Sequence, residues 1–256
     1  MTARVFLITA VLAALSCLPK SVQADTFTIA AASDLRFALD EVVEIFEQAH
    51  PGHDITVIYG SSGRMTTQIS NGAPFDIFFS ADIAFPEILQ QQGLTATDPS
   101  VYAIGRIVLW SSRLDASEMT IADLTDERIR RIAIAQPAHA PYGQRAREAL
   151  QAAGIWEQIQ HKLVFGENIA HAAQMAESGA ADAGIIALSL ALFPTMQAHP
   201  YHLIADSAHK PLTQGFVITR HGAGKPGVEQ FAGFMETAAA HDIMKKYGFV
   251  LPGDAD

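Results

Sequence analysis

Cysteine is almost missing from this chain, and its scarcity removes a whole branch of chemistry. Cys17 is the only one, and it lies in a leader-like segment. A chain processed after that segment has no disulfide, no thiolate metal site and no cysteine nucleophile. Basic residues are also short, with Lys and Arg numbering 17 against 27 Asp and Glu. That balance argues against nucleic acid and against anionic lipid surfaces as partners. No apolar run is long enough for a stable membrane span; the longest, Val5 to Leu18, falls short of it. Short-period repeats and low-complexity tracts are absent too.

The usual signatures of catalysis are missing as well. Gly60-Ser61-Ser62-Gly63 is one residue short of a nucleophile elbow. Gly222-Ala223-Gly224-Lys225 lacks the spacing and the hydroxyl of a phosphate loop. No carboxylate pair sits in an apolar setting suited to acid/base work. His199 and His202 form the only close histidine pair, with no third ligand nearby in sequence, so they read as surface histidines rather than a zinc site. Trp110 and Trp156 read as core residues.

What is present begins with an address. Met1 to Arg4 is a short basic region, an apolar stretch follows, and Val22-Gln23-Ala24 suits cleavage before Asp25. Residues 1–24 therefore read as a signal peptide, exported and removed. Cys17 does not read as a lipid anchor, because Ala14 stands where a branched residue is usual. Loss of Arg4 and Lys20, two positive charges, takes the formal charge from −10 to −12.

Beyond the leader, strands alternate with helices nearly throughout, so the class is α/β. Thr26 to Ala32 reads as a buried strand, and Ser33-Asp34 opens a helix with apolar spacing at Leu35, Leu39, Val42, Val43 and Phe46. Ile55 to Tyr59 is a second strand and feeds Gly60-Ser61-Ser62-Gly63, which opens another helix. Tyr102 to Trp110 reads as the crossover into a second lobe. Gln214 to Ile218 reads as the return. A single final helix, opened by Pro226-Gly227, runs to about Tyr247.

The turns are the informative feature. A strand that feeds a Gly/Ser turn and then a helix leaves backbone N–H groups without intrahelical acceptors. With serine hydroxyls and the positive end of the helix dipole, they make a seat for a small anion. An ordinary serine N-cap accounts for one such turn equally well. The pattern recurs, however, at Ser33, Ser61, Tyr142 and Ile169, two in each lobe. Parallel strands place such turns at one sheet edge, where open α/β sheets bind ligands.

The chain resembles the periplasmic molybdate-binding proteins of ABC importers. The resemblance is carried by Ala31-Ala32-Ser33-Asp34-Leu35, by Gly60-Ser61-Ser62-Gly63, and by Asn71-Gly72-Ala73-Pro74 continuing through Asp76 to Asp82. Tyr102-Ala103-Ile104-Gly105, Ala140-Pro141-Tyr142-Gly143 and Lys246-Tyr247-Gly248-Phe249 complete it. It implies a two-lobed periplasmic-binding-protein fold, each lobe a mixed sheet flanked by helices, joined by two crossing segments. Lobe 1 would comprise 25–106 and 213–256, and lobe 2 would comprise 107–212. The implied ligand is molybdate or tungstate, held by neutral donors with no cofactor and no direct metal ligand. Ser33 and Ser61 would give hydroxyls and amides, Tyr142 its phenol or its N–H, and Ile169 an N–H alone. The implied partner is a permease in the inner membrane, and the protein itself would be a monomeric periplasmic receptor, not an enzyme.

Asp34 stands out in this scheme. A carboxylate in the cavity would repel a bare dianion and favour a protonated one, so Asp34 is expected to turn sideways as a helix cap. Arg64 is expected to be a solvated surface residue. The rival ligands are sulfate and phosphate. The rival class is a secreted serine hydrolase using Ser61 or Ser62.

Overall fold

The computed structural model describes residues 25–254, so the signal peptide read into residues 1–24, with Cys17, lies outside the described residues. Two five-stranded mixed sheets organise the chain. The first contains β1 (Thr26–Ala32), β2 (Asp54–Gly60), β3 (Ile77–Ser80), β4 (Ser100–Gly105) and β10 (Leu212–Ile218), in the order β2-β1-β3-β10-β4. The second contains β5 (Ile107–Trp110), β6 (Ile132–Ala135), β7 (Leu163–Gly166), β8 (Ala183–Ala187) and β9 (Tyr201–Leu203), in the order β7-β6-β8-β5-β9.

Both sheets follow one plan. Three parallel strands, β2-β1-β3 or β7-β6-β8, are extended by one antiparallel strand and then by an outer strand antiparallel to that one. The strand that follows each crossing segment lies inside its sheet rather than at the edge: β10 between β3 and β4, and β5 between β8 and β9. The chain crosses from one sheet to the other at Arg106 and returns with Leu212, which pairs with Gly105.

Helices cover the sheets because the central strands are apolar on both faces. Ile29 and Ala31 face α1 (Arg36–Ala49), whose Leu39, Val42 and Phe46 are fully buried against them. Ala30, on the opposite face, packs with Met65 and Ile69 of α2 (Ser62–Ser70) and Leu89 of α3 (Ala84–Gln91). This is the period-two alternation of a strand buried on both sides. In the second half, α4 (Pro141–Ala152), α5 (Trp156–Ile159), α6 (Ile169–Glu177) and α7 (Leu188–Ala191) enclose a core containing Trp110, Ile134, Leu150 and Ile185. Trp110 is in the core as expected, whereas Trp156 is half-buried beneath the Arg147 guanidinium, 5.2 Å from its ring.

The single final helix is a misreading of two helices. α8 (Pro226–Phe234) and α9 (Ala238–Lys246) are separated at Thr237, whose side chain accepts from the Ala240 N–H and starts a new helix. A threonine with two apolar turns beyond it is an N-cap signal that the continuous apolar spacing hides.

One glycine fixes how α4 meets its sheet. A Cβ on Gly143 would overlap the Ala135 carbonyl at the end of β6. Gly143→Ala should therefore lower unfolding stability by about 1–3 kcal/mol, as overpacking does, measured by urea denaturation. An unchanged midpoint would show that the helix start can shift freely.

Candidate functional site

Four chain starts converge between the two sheets. A short 3-10 turn, Ser33–Leu35, follows β1 and leads into α1. The starts of α2, α4 and α6 come in from β2, β6 and β7. Each first turn leaves amides that no intrahelical carbonyl can take, including those of Ser62, Tyr142 and Ile169. They surround a tight pocket lined by Ser33, Asp34, Ser61, Ser62, Tyr142 and Ile169 together with Ala32, Gly60, Ala81, Ala140 and Pro141. No Lys, Arg or His is among the lining residues.

All five residues singled out from the sequence are buried here and share this one cavity. Their hydrogen bonds tie the halves together. Ser33 Oγ accepts the Ala170 N–H of α6 at 3.2 Å, which leaves its own O–H free to donate. Ser61 Oγ lies 2.9 Å from His139 Nδ1, and the His139 carbonyl accepts the Gly63 N–H at 3.0 Å. Burial, and next the nearby Arg64, hold His139 below its ordinary pKa, so its ring is neutral. If Nδ1 carries the ring proton, it donates to Ser61 and the serine O–H is available to the cavity. Ser62 Oγ likewise accepts a backbone N–H, from Ala81 at 3.0 Å, and braces the turn.

Asp34 does not cap a helix. Ala32 occupies the cap position of the 3-10 turn, and no side chain caps it. The Asp34 carboxyl instead turns to two donors that would otherwise lack an acceptor. Oδ2 accepts from the Tyr142 hydroxyl at 3.0 Å and from Gln214 Nε2 at 2.8 Å. Gln214 Nε2 also donates to the Tyr142 oxygen at 3.0 Å, closing a ring of three groups. The Tyr102 hydroxyl donates to Gln214 Oε1 at 2.6 Å, at the other end of the amide. Oδ1 is buried without a hydrogen-bond partner. Burial pushes the Asp34 pKa up to about 6, against the lowering effect of Gln214 and Tyr142. Tyr142 thus spends its phenol on Asp34, which leaves its N–H for the cavity.

Other contacts between the halves lie around the cavity. Arg145 of α4, almost fully buried, reaches Asp82 after β3 at 2.9 Å and Glu148 at 3.0 Å. Arg64 is half exposed and meets Glu167 across the cleft at 3.1 Å. Phe37 of α1 stacks on Phe193, with ring centroids 3.4 Å apart. A wider groove runs beside the cavity and also reaches Ser33, Arg36, Asn168 and His171.

The family model described as bacterial extracellular solute-binding protein matches residues 27–250. The chain belongs to that family. Within it, the chain is 31% identical to the molybdate-binding protein ModA of Azotobacter vinelandii, over 90% of this chain and 91% of the relative. It is 34% identical to ModA of Rhodobacter capsulatus, over 78% of each chain. The solved periplasmic molybdate-binding protein of A. vinelandii superposes with a TM-score of 0.83 at 32% identity, covering 88% of this chain and 99% of that one. The sulfate-binding protein SubI of Mycobacterium tuberculosis, at 14% identity and a TM-score of 0.75, shares the fold.

For a solute-binding family member, the residues that sequence reasoning missed are those that organise the donors. Gln214, Tyr102, His139 and Ser189 stand in different elements from the turns they support, and Ser189 Oγ donates to the Asp34 carbonyl at 2.7 Å. Their partners lie tens to hundreds of residues away, so no local pattern marks them.

Proposed function

We propose that this chain captures molybdate, or tungstate, in the cavity between its two sheets and delivers it to an ABC permease of the inner membrane. The observation that carries this reading is a buried cavity walled by hydroxyls and helix-start amides with no basic side chain on it. Ser33 and Ser61 donate hydroxyl protons, while Tyr142 and Ile169 donate backbone N–H groups. A proton-free tetrahedral dianion is satisfied by donors alone. Hydrogenphosphate would turn its own O–H toward donors, at a cost of about 1–3 kcal/mol. Neutral donors also avoid the desolvation of a buried ion pair.

On this reading the protein works in the periplasm as a monomer. Lobe 1 (25–106 and 213–256) and lobe 2 (107–212) close over the anion by a hinge at the two crossing segments. The network of contacts across the cleft supports a closed arrangement as the form that holds ligand.

One residue favours a second reading. An ionised Asp34 within about 4 Å of a dianion would oppose binding by about 8 kcal/mol at an effective dielectric near 20. A carboxylate there could accept the O–H of hydrogenphosphate instead. Isothermal titration with molybdate, tungstate, sulfate and phosphate separates the readings. Molybdate and tungstate are expected to bind at micromolar Kd or tighter, about −8 kcal/mol or stronger. Tight phosphate binding with none for molybdate would overturn the assignment.

A further inference from the structure

Asp34 is the one acidic group on a wall otherwise built of donors, and its surroundings determine where it can hold a proton. Oδ2 already receives two hydrogen bonds, from Tyr142 and Gln214. The Gln214 amide presents its nitrogen to Asp34 and its oxygen to the Tyr102 hydroxyl, so it offers Oδ2 a donor. A proton on the carboxyl therefore belongs on Oδ1, which is buried, lacks a partner in the protein and sits on a residue lining the anion cavity.

We propose that Asp34 is a proton-linked specificity residue: closing over a proton-free dianion is coupled to uptake of one solvent proton onto Oδ1, which then donates to the anion. This inference rests on the molybdate reading and deepens it. The balance is simple. A carboxylate and a solvent proton become a carboxylic acid, no electrons move, and the wall changes from repelling the dianion to binding it.

The groups around Asp34 leave it to respond alone. The phenols of Tyr142 on α4 and Tyr102 on β4 are both pushed well above their ordinary values by burial, so they stay neutral donors. Gln214 on β10 and Ser189 on α7 carry no charge. Arg36 and Asp40 on α1, and His171 and Glu177 on α6, make no hydrogen bond to the Asp34 carboxyl among the described contacts. Arg145 of α4 is engaged by Asp82 and Glu148. Burial in the closed form already brings the carboxyl to about 6, and a neighbouring dianion raises it further.

The direction of the pH effect follows. Where the cleft opens, Asp34 meets water and its pKa falls back toward the ordinary carboxylate range. Its pKa is raised in the complex, so affinity is full below the open-form value and is lost as pH rises toward the complex value. In that window Kd rises by up to about tenfold per pH unit.

The test is isothermal titration of molybdate into the wild-type protein at about pH 6, 7 and 8, in buffers of different ionisation enthalpy, alongside Asp34→Asn. Wild type is expected to take up close to one proton per anion near neutrality and to weaken by roughly 10–100-fold from pH 6 to pH 8. Asp34→Asn, whose amide donates without a proton from solvent, is expected to bind with no uptake and a flat profile. Molybdate binding by wild type without proton uptake overturns the inference and leaves the molybdate reading standing. Uptake that persists in Asp34→Asn also overturns it, since the proton would then sit elsewhere. Failure of wild type to bind molybdate or tungstate at any pH overturns the molybdate reading and this inference together. Tight phosphate binding without uptake makes Asp34 an acceptor and contradicts the proposal. The wild-type measurements stand even if the variant folds poorly.

Discussion

Replacing both Ser33 and Ser61 by alanine should weaken molybdate binding by about 10²–10⁴-fold, with Ser61→Ala alone costing roughly tenfold or more. On the proposed reading each hydroxyl donates to a charged ligand, and such hydrogen bonds contribute about 1.5–3 kcal/mol apiece. The walls have no cation to compensate, because the lining residues include no Lys, Arg or His. Ser33 also accepts the Ala170 N–H from the opposite half, so its loss removes one closing contact as well. Titration calorimetry on the single and double variants measures this, and the thermal shift produced by added molybdate should shrink in step. A double variant within about threefold of wild type would show that the anion is held elsewhere.

Arg145→Met should lower stability by about 2–3 kcal/mol and reduce anion affinity as well. Arg145 is the most buried cation between the halves, with its side chain only 6% exposed. It serves Asp82 and Glu148 and donates through Nε to the Pro211 carbonyl at 3.3 Å. Removing one partner from a buried ion pair costs about 3–5 kcal/mol. The expectation is set lower because Asp82 and Glu148 keep about a fifth of their side-chain surface in water. Glu148 shares α4 with Arg145, whereas Asp82 comes from the other half. A double-mutant cycle with Asp82→Asn therefore isolates the part that acts on closure. Coupling in the anion Kd is expected to be positive and to vanish in urea melts without anion if the free protein is open. Arg145→Met with wild-type Kd and wild-type stability would contradict this role.

The βα turns at Ser33, Ser61, Tyr142 and Ile169 were legible because each is local. An apolar strand, a small or hydroxyl residue and a helical period occur within about ten residues, and parallel pairing then gathers them at one edge. The destination of Asp34 was not legible. Its acceptor role is defined by Tyr142 and Gln214, 108 and 180 residues away. A residue beside a helix start is a reasonable cap on local grounds, but tertiary donors outcompeted that use. Local pattern marks Tyr142 as a donor through its phenol or its N–H; the structure gives the phenol to Asp34, a partner 108 residues away. The final helix was read as one because apolar spacing continues through Phe231, Phe234 and Met235, and Thr237 breaks it with a cap that periodicity alone does not weigh.

The central claim is that an anion is held between the two sheets by neutral donors. A crystal structure of the protein grown with molybdate tests it most directly, because the metal's anomalous scattering locates the ion without reference to any assumed pose. The account predicts one strong peak inside the cavity, with oxygens in hydrogen-bond reach of Ser33 Oγ, Ser61 Oγ and the amides of Tyr142 and Ile169. A peak elsewhere, or an anion clamped by a lysine or arginine side chain, would contradict it.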